Sequence, residues 1–301
     1  MIKATTDTVW LPLFEALASE VRLNIIQLLA KQPMNNKDLA AELQISGAIV
    51  SMHVRKLQQA GLVESKMVRL NGGTHKLNSL AADAIEIMLP HTKHLPRTFF
   101  EVSVPIGHYT QFDIHPTCGL ATTSSVIGHY DDPRYFLDPE RMHANILWFG
   151  KGYVEYKFPN YLLTSQQIKE IEISMEISSE APGVNSNWPS DIRFYLNGTD
   201  LGCWTSPGDS GNGRGMYTPD WWRDDVNQYG FLKVIRINES GTYIDGQKMS
   251  DNGLNELSIE RNQWTLRLAV EDDAAHIGGL TLYGMGFGNY NQDIVFRTYY
   301  E

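Results

Sequence analysis

Apolar positions in the first ninety residues recur at spacings of three and four. Phe14, Leu17, Val21, Ile25, Leu28 and Leu29 share one face, the pattern of an amphipathic helix laid on a core. Asn35 and Asn36 precede a second helical stretch, Lys37 to Leu43. Ser46 is placed to cap a third that runs to Ala60 and stops at Gly61. Leu62–Leu70 and His75–Leu77 flank Asn71-Gly72-Gly73, which predicts a hairpin. A further helix is expected over Leu80 to Leu89, ended by Pro90.

His91 to Thr98 carries two histidines, Lys93 and Pro96 and reads as a connector. Beyond it the period changes to two. Phe100-Val102-Val104, Ile171-Ile173-Met175-Ile177, Ile192-Phe194-Leu196, Leu232-Val234-Ile235-Ile237, Leu266-Leu268-Val270 and Ile294-Phe296 predict strands. Asn197-Gly198, Asp245-Gly246, Asn252-Gly253 and Gly278-Gly279 punctuate them. The expected fold class is α+β and multidomain. A winged helix-turn-helix spans 1–90, a linker 91–98, and an antiparallel β-sandwich or jelly roll 99–301. Ile-Gly-His-Tyr occurs at 106–109 and again at 127–130, read as two equivalent strand ends.

Of the 301 residues 42% are hydrophobic and 20% charged, as suits a folding, soluble chain. No apolar run reaches the roughly 18–20 residues that cross a bilayer. Met1 to Trp10 lacks a basic start followed by an apolar core, so no secretion signal is read. Cys118 and Cys203 lie far apart, which argues against a disulfide scaffold and an all-cysteine zinc site. The sequons at Asn197 and Asn238 are therefore read as incidental, and the expected location is the cytoplasm. Charge is unevenly spread. Residues 1–90 carry nine Lys+Arg and eight Asp+Glu, a net of +1, and the rest sixteen and twenty-seven, a net of −11. Phosphate contact favours the first part alone.

On a helical wheel Val50, Val54 and Leu57 point together toward a core. Ala48, Ser51, Met52, Arg55 and Lys56 point away. That outer face is small at its N-terminal end and basic further on, which lets a helix enter a major groove and hold phosphate or guanine. Helix, short helix, turn, helix and hairpin make the winged helix-turn-helix layout. The module could alternatively serve protein association without DNA. His53 falls on the flank between the two faces, which suits either a partly buried structural histidine or a DNA contact.

Leu17-Ala-Ser-Glu-Val-Arg-Leu-Asn-Ile-Ile-Gln-Leu-Leu and Ser51-Met-His-Val-Arg-Lys-Leu-Gln-Gln-Ala-Gly-Leu-Val63 resemble the ArsR family of winged-helix regulators. The resemblance covers about Leu11 to Leu89. It implies a homodimer joined through terminal helices, each recognition helix in half of a palindromic double-stranded operator. The expected DNA-contacting set is Ser46, Ala48, Ser51, Met52, His53, Arg55 and Lys56, with Lys66, Arg69 and Lys76 from the wing. Metal-sensing members use cysteine pairs or Asp/His/Glu clusters. Met34 to Ser46 has no cysteine or histidine here, and Asp83, Glu86, His91 and His94 form no convincing set. No metal or cofactor is expected.

The large second part reads as an effector-binding domain. Asp191-Ile-Arg-Phe-Tyr-Leu-Asn-Gly-Thr-Asp-Leu-Gly and Gly279-Leu-Thr-Leu-Tyr-Gly-Met-Gly-Phe-Gly-Asn-Tyr are similar to hairpins of carbohydrate-binding sandwiches. Six of seven tryptophans lie beyond residue 140, and sugars offer C–H faces to such rings. Trp204, Asp220, Trp221 and Trp222, on a long loop-like stretch, together with Arg193 from a strand, are the expected ligand contacts, with at least one of Trp221 and Trp222 in the core. Glu271-Asp272-Asp273 followed by His276 reads as a solvated turn rather than a site for calcium or a sugar hydroxyl, and Cys118 as a buried small hydrophobe. No nucleophile, phosphate-loop or zinc motif appears, so no catalytic residue is assigned. The expected function is a transcriptional regulator modulated by a sugar or sugar derivative. The alternatives are a constitutive DNA-binding or scaffold protein whose sandwich holds a protein partner, and a carbohydrate-active enzyme. No membrane association is expected.

Overall fold

Side-chain caps fix the central helices of the N-terminal unit. Asn35 Oδ1 accepts the backbone N–H groups of Lys37 and Asp38, both at 2.9 Å. Ser46 Oγ accepts that of Ile49 at 3.3 Å. Each satisfies N–H groups that a helix start leaves unpaired. At the other ends Gln44 and Gly61 take left-handed conformations, φ 54° and 73°. The computed structural model describes residues 2–70, 73–82, 85–89, 97–210 and 213–301. The hairpin-turn residues Asn71 and Gly72, the metal candidates Asp83, His91 and His94, and residues 91–96 of the linker lie outside these.

The chain divides into two compact units, Met1–Leu95 and Pro96–Glu301. The first contains β1 (Ile2–Thr5), α1 (Leu11–Leu17), α2 (Glu20–Lys31), α3 (Asn36–Leu43), α4 (Gly47–Gln59), β2 (Val63–Leu70), β3 (Gly73–Leu80) and β4 (Ile85–Met88). Leu13, Ala16, Ile25, Leu29, Leu39, Val50, Val54 and Leu57 close its core. β2 and β3 pair antiparallel from Val63↔Leu80 to Leu70↔Gly73, forming the wing. The helix expected over Leu80 to Leu89 is not found. Leu80 ends β3, and β4 runs parallel to β1 from Ile2↔Ile85 to Thr5↔Met88. Ile85 and Ile87 are β-branched and suit a strand, and the ladder that holds them comes from the opposite end of the unit.

The second unit is all-β. Its strands are β5 (Thr98–Val104), β6 (Gln111–Ala121), β7 (Val126–Ile127), β8 (Ile146–Pro159), β9 (Ile168–Ser178), β10 (Ser190–Leu196), β11 (Thr199–Ser206), β12 (Phe231–Asn238), β13 (Gly241–Ile244), β14 (Gln247–Ser250), β15 (Gln263–Val270), β16 (Leu280–Tyr283) and β17 (Ile294–Tyr300). One layer runs β6-β8-β15-β10-β11 and the other β5-β17-β9-β12-β13-β14. β16 pairs with both β8 and β9 and carries the ladder between them. Every pairing here is antiparallel. The period of two becomes a sandwich core: Val154, Tyr156 and Phe158 of β8, Leu266 and Leu268 of β15 and Ile192 and Phe194 of β10 join Ile171, Ile173, Ile235, Ile237 and Phe296. Phe296 stacks on Phe158, centroids 4.6 Å apart, and on Trp264 at 5.3 Å. Asn197-Gly198 and Asp245-Gly246 have positive φ at both residues, the geometry of tight hairpin turns.

The two Ile-Gly-His-Tyr segments are not equivalent. Ile106–His108 is a 3-10 turn, whereas Ile127 ends β7 and Gly128 turns left-handed at φ 69°. Among the described residues no helix is long and apolar enough to cross a membrane.

Candidate functional site

In the N-terminal unit α4 buries Val50, Val54 and Leu57 and exposes Ser46, Ala48, Ser51, Met52, Arg55 and Lys56. Ile49, absent from the expected set, is 43% exposed on the same surface. Among the described residues Arg55 and Lys56 form no ion pair, so both cations are available to a polyanion. Lys66 and Lys76 are exposed on the wing, Lys66 pairing with Glu64 at 2.5 Å. Arg69 lies on β2, and its side chain lies outside the described residues.

Ser51 is less free than its exposure suggests. Its hydroxyl donates to Gly47 O at 2.8 Å and accepts from Asn36 Nδ2 at 3.0 Å. One lone pair remains, so it can accept from a base N–H but has no proton to give. His53 is turned inward, correcting its expected place among the exposed contacts. It is 9% exposed, with Nδ1 3.4 Å from an Arg22 Nη. Arg22 is itself buried and donates to Ala16 O at 2.7 Å and Glu15 O at 2.5 Å. Burial, then the charges of Arg22 and Lys56, lower the His53 pKa; a guanidinium has only donors, so a hydrogen bond between the two requires Nδ1 to accept.

Sequence reasoning missed what fixes the wing to the helices. Asn78 of β3, 1% exposed, donates through Nδ2 to Met34 O at 3.0 Å and Asn36 Oδ1 at 2.8 Å. Its Oδ1 accepts from Ser65 Oγ at 2.6 Å, and Ser65 Oγ accepts from Gln58 Nε2 at 2.7 Å. One amide thus connects the wing, the α2–α3 turn and the start of α3. Asn78→Ala removes these bonds from half-buried Asn36 and Ser65 while Met34 O keeps the backbone N–H of residue 78, and is expected to cost about 1–3 kcal/mol, read from thermal unfolding followed by the helical circular-dichroism signal. An unchanged midpoint would show that water replaces the amide.

In the sandwich the five expected ligand residues do not converge. Trp222 is 3% exposed and packs edge-on to Trp148 and Phe287, at 5.7 and 5.3 Å. Trp221 is 38% exposed and donates Nε1–H to Thr123 O at 2.6 Å. Trp204 is half-buried beside Phe231, with Lys233 Nζ 4.5 Å from its ring. Asp220 is exposed. Only Trp222 lines a described cavity. Arg193 belongs to a different surface, where it pairs with Asp200 at 2.6 Å and Glu271 at 3.2 Å.

That surface is the outer face of β6-β8-β15-β10. Strand register sets two rows across it: Arg193, Ala269, Tyr153 and Asp113, and beside them Tyr195, Arg267, Glu155 and Gln111. Ala269 is small between long neighbours and leaves a trough. A groove of about 350 Å³ is lined by Asp113, His115, Tyr153, Arg267, Glu271 and Asp272. A hollow of about 230 Å³ adjoins it, sharing Arg267 and Glu271 and adding Glu155 and Tyr195. Arg267 lies 3.9 Å over the Tyr153 ring and holds Glu155 through two nitrogens, at 2.8 and 2.7 Å. Tyr195 donates to Glu271 Oε1. The outward alternation of Tyr153 and Glu155 on β8 was the sequence signal for this face.

The acidic loop is largely paired. Glu271 holds Arg193 and Tyr195, Asp272 holds Lys151 at 2.7 Å, and His276 Nδ1 lies 3.2 Å from Asp191. Among the described residues no group of three or more His, Cys, Asp or Glu could hold a metal. Cys118 is fully buried, and its thiol pKa is pushed up to about 12, first by burial and then by Asp131, Asp132 and Glu180. It is not a reactive thiolate.

The bacterial regulatory protein, arsR family, description matches residues 19–65. An uncharacterized HTH-type transcriptional regulator of Methanocaldococcus jannaschii is 48% identical over 54 residues, 18% of this chain and 57% of that protein. This chain therefore spans little more than half the length of that relative. A homodimeric winged helix-turn-helix DNA-binding domain from Mycobacterium bovis, a possible ArsR-family regulator, is 25% identical over 24% of this chain and 63% of its own, TM-score 0.22. A CBM36-1 domain of a multidomain xylanase from the hindgut metagenome of Trinervitermes trinervoides aligns with 66% of this chain and 96% of its own at 8% identity, TM-score 0.29. The family match falls on the caps, the buried face and the exposed face of α2 to α4, and the N-terminal unit of this chain carries an ArsR-family helix-turn-helix domain.

Proposed function

We propose that this chain is a dimeric, cytoplasmic transcriptional regulator whose affinity for a palindromic operator changes when a sugar or sugar derivative binds its sandwich. The DNA-binding half is supported by α4, which presents small residues at its N-terminal end and, further along, Arg55 and Lys56, unpaired among the described residues, within an ArsR-family domain. The effector half is supported by the outer sheet groove. Tyr153 and Tyr195 offer ring surface there, and Arg267, Glu155 and Asp113 offer donors and acceptors. The switch is a population shift: ligand favours one placement of the paired recognition helices, and the half-site spacing then fits the groove or does not.

A thermal-shift screen against mono- and oligosaccharides tests the effector half. A true ligand at a hundred times its dissociation constant adds about 2.7 kcal/mol. Tyr153→Ala should weaken that response about tenfold or more, with DNA binding in the absence of sugar unchanged. Silence toward every sugar would sink the effector half and leave a DNA-binding protein whose sandwich holds a protein partner.

A further inference from the structure

A second recess, separate from the sheet groove, has a different chemistry. It encloses about 200 Å³, with Trp148, Trp222 and Tyr130 as aromatic walls and Glu180, Asp131 and Asn227 as polar groups. Among the described residues no Lys, Arg or His lines it. The walls are set by the backbone: a Cβ on Gly119 would lie 2.2 Å from Trp148 Cζ2, so only glycine lets that indole lie against β6. Tyr130 tilts against Trp148 at 5.8 Å, and Trp148 meets Trp222 edge-on.

Asn227 Nδ2 donates inward to Glu180 Oε2 at 3.0 Å and Thr281 Oγ1 at 2.9 Å. Trp222 Nε1 donates to Asn227 O at 3.0 Å, and Thr281 Oγ1 donates to Glu180 Oε2 at 2.8 Å. Asp131 Oδ1 is taken by Cys118 N at 2.9 Å. Among the described residues Glu180 Oε1, Asn227 Oδ1 and Asp131 Oδ2 are acceptors with no hydrogen-bond partner, and the Thr117 and Tyr130 hydroxyls, also without one, can donate or accept. Acceptors with nothing to accept, two carboxyl groups and electron-rich rings complement a cation that brings its own N–H donors.

We propose that this recess binds the primary ammonium group of a small organic molecule, with the N–H bonds on Glu180, Asn227 and Asp131 and the carbon chain against Trp148 and Trp222. The proposal does not depend on the sugar reading, since it uses a different surface. Local electrostatics agree. The Glu180 carboxyl is pushed up to about 8 by burial, opposed by the Thr281 hydrogen bond and reinforced by Asp209 and Asp131. Asp209 is itself raised to about 6 by burial. Cys118 and Tyr283 also face Glu180 and feel its charge. Burial therefore favours the protonated carboxyl in the free protein at neutral pH, with its proton on Oε1, the oxygen that no donor occupies, and an arriving ammonium ion favours the ionised form in which Oε1 accepts. Below about pH 8 binding must expel that proton, so affinity rises with pH and flattens above it.

The test is intrinsic tryptophan fluorescence of the full chain, titrated at constant ionic strength with ethylammonium, tetramethylammonium and glucose. Ethylammonium should saturate and bind at least about tenfold more tightly than tetramethylammonium, which carries charge but no N–H. Its affinity should climb between about pH 6.5 and 8.5. Glu180→Gln keeps the acceptor for Thr281 and should lower ethylammonium affinity about tenfold and abolish the pH trend, with an unchanged circular-dichroism spectrum. Asp131→Asn, tolerated at the left-handed φ of 60°, should weaken binding to a smaller extent and serves if Glu180→Gln misfolds. Equal affinity for ethylammonium and tetramethylammonium, a glucose response in place of the ethylammonium response, or full ethylammonium affinity in folded Glu180→Gln would each overturn the proposal.

Discussion

Replacing Arg55 and Lys56 together with alanine is expected to cut affinity for duplex DNA and flatten its salt dependence without loss of fold. Both lie toward the C-terminal end of α4 on its exposed face, and neither is held by an acidic partner among the described residues. Their side chains contribute nothing to the core formed by Val50, Val54 and Leu57, so stability should change by less than about 0.5 kcal/mol. Each cation that meets a phosphate displaces about one condensed counterion, so the slope of log affinity against log salt should fall by about 1 per residue for each bound copy. The sandwich bears most of the negative charge and cannot substitute for them. Titrations of one duplex between about 50 and 200 mM salt measure this. Affinity and slope equal to wild type in the double variant would place the DNA surface elsewhere.

The largest loss of stability is expected for Phe296→Ala. Phe296 is 1% exposed, on β17, and its ring lies against Phe158 of β8 and Trp264 of β15, so one side chain joins both layers. Truncation removes the buried area of a phenyl ring and leaves a void that rings fixed in strands cannot fill. The expected cost is about 3–5 kcal/mol, read from the sandwich transition in urea, scored separately from the helical unit because two units need not unfold together. A cost below about 1 kcal/mol would mean that the layers close over the gap. The same substitution should disturb the outer groove, since Tyr153, Glu155 and Arg267 alternate with the core residues Val154, Tyr156, Leu266 and Leu268 on the same two strands.

The helix-turn-helix was legible because its determinants are local. Asn35 and Ser46 cap within three residues, and Val50, Val54 and Leu57 repeat within one helix. The same locality misled over Leu80 to Leu89. Ile85-Glu86-Ile87-Met88 fits either period over so short a run, and the choice was made by β1, which no window around residue 85 contains. His53 could not be placed from its wheel position, because Arg22, on another helix, occupies the side it turns to.

In the sandwich, alternation alone determined which residues face inward. Trp264, Leu266 and Leu268 are core, and Arg193 lies on the opposite face of β10 from Ile192 and Phe194. Alternation contains no information about which strand lies beside which. Adjacency of β10, β15 and β8 brought Arg193 to Glu271 and made rows with Tyr153 and Asp113, whereas the long loop carried Trp222 to Trp148 and Glu180. Trp221 and Trp222 are neighbours in sequence with opposite fates, 38% and 3% exposed, because burial depends on which rings the fold brings up to each. The sequence by itself determined the capped starts of α3 and α4, the faces of strands such as β10 and β15 and the separation of charge between the two units, since each depends on spacing along the chain, whereas the break between α1 and α2 inside the run from Phe14 to Leu29 was not read from it. Tertiary structure alone decided the two sandwich surfaces, whose chemistry comes from side chains on strands and loops that only the ladder places together.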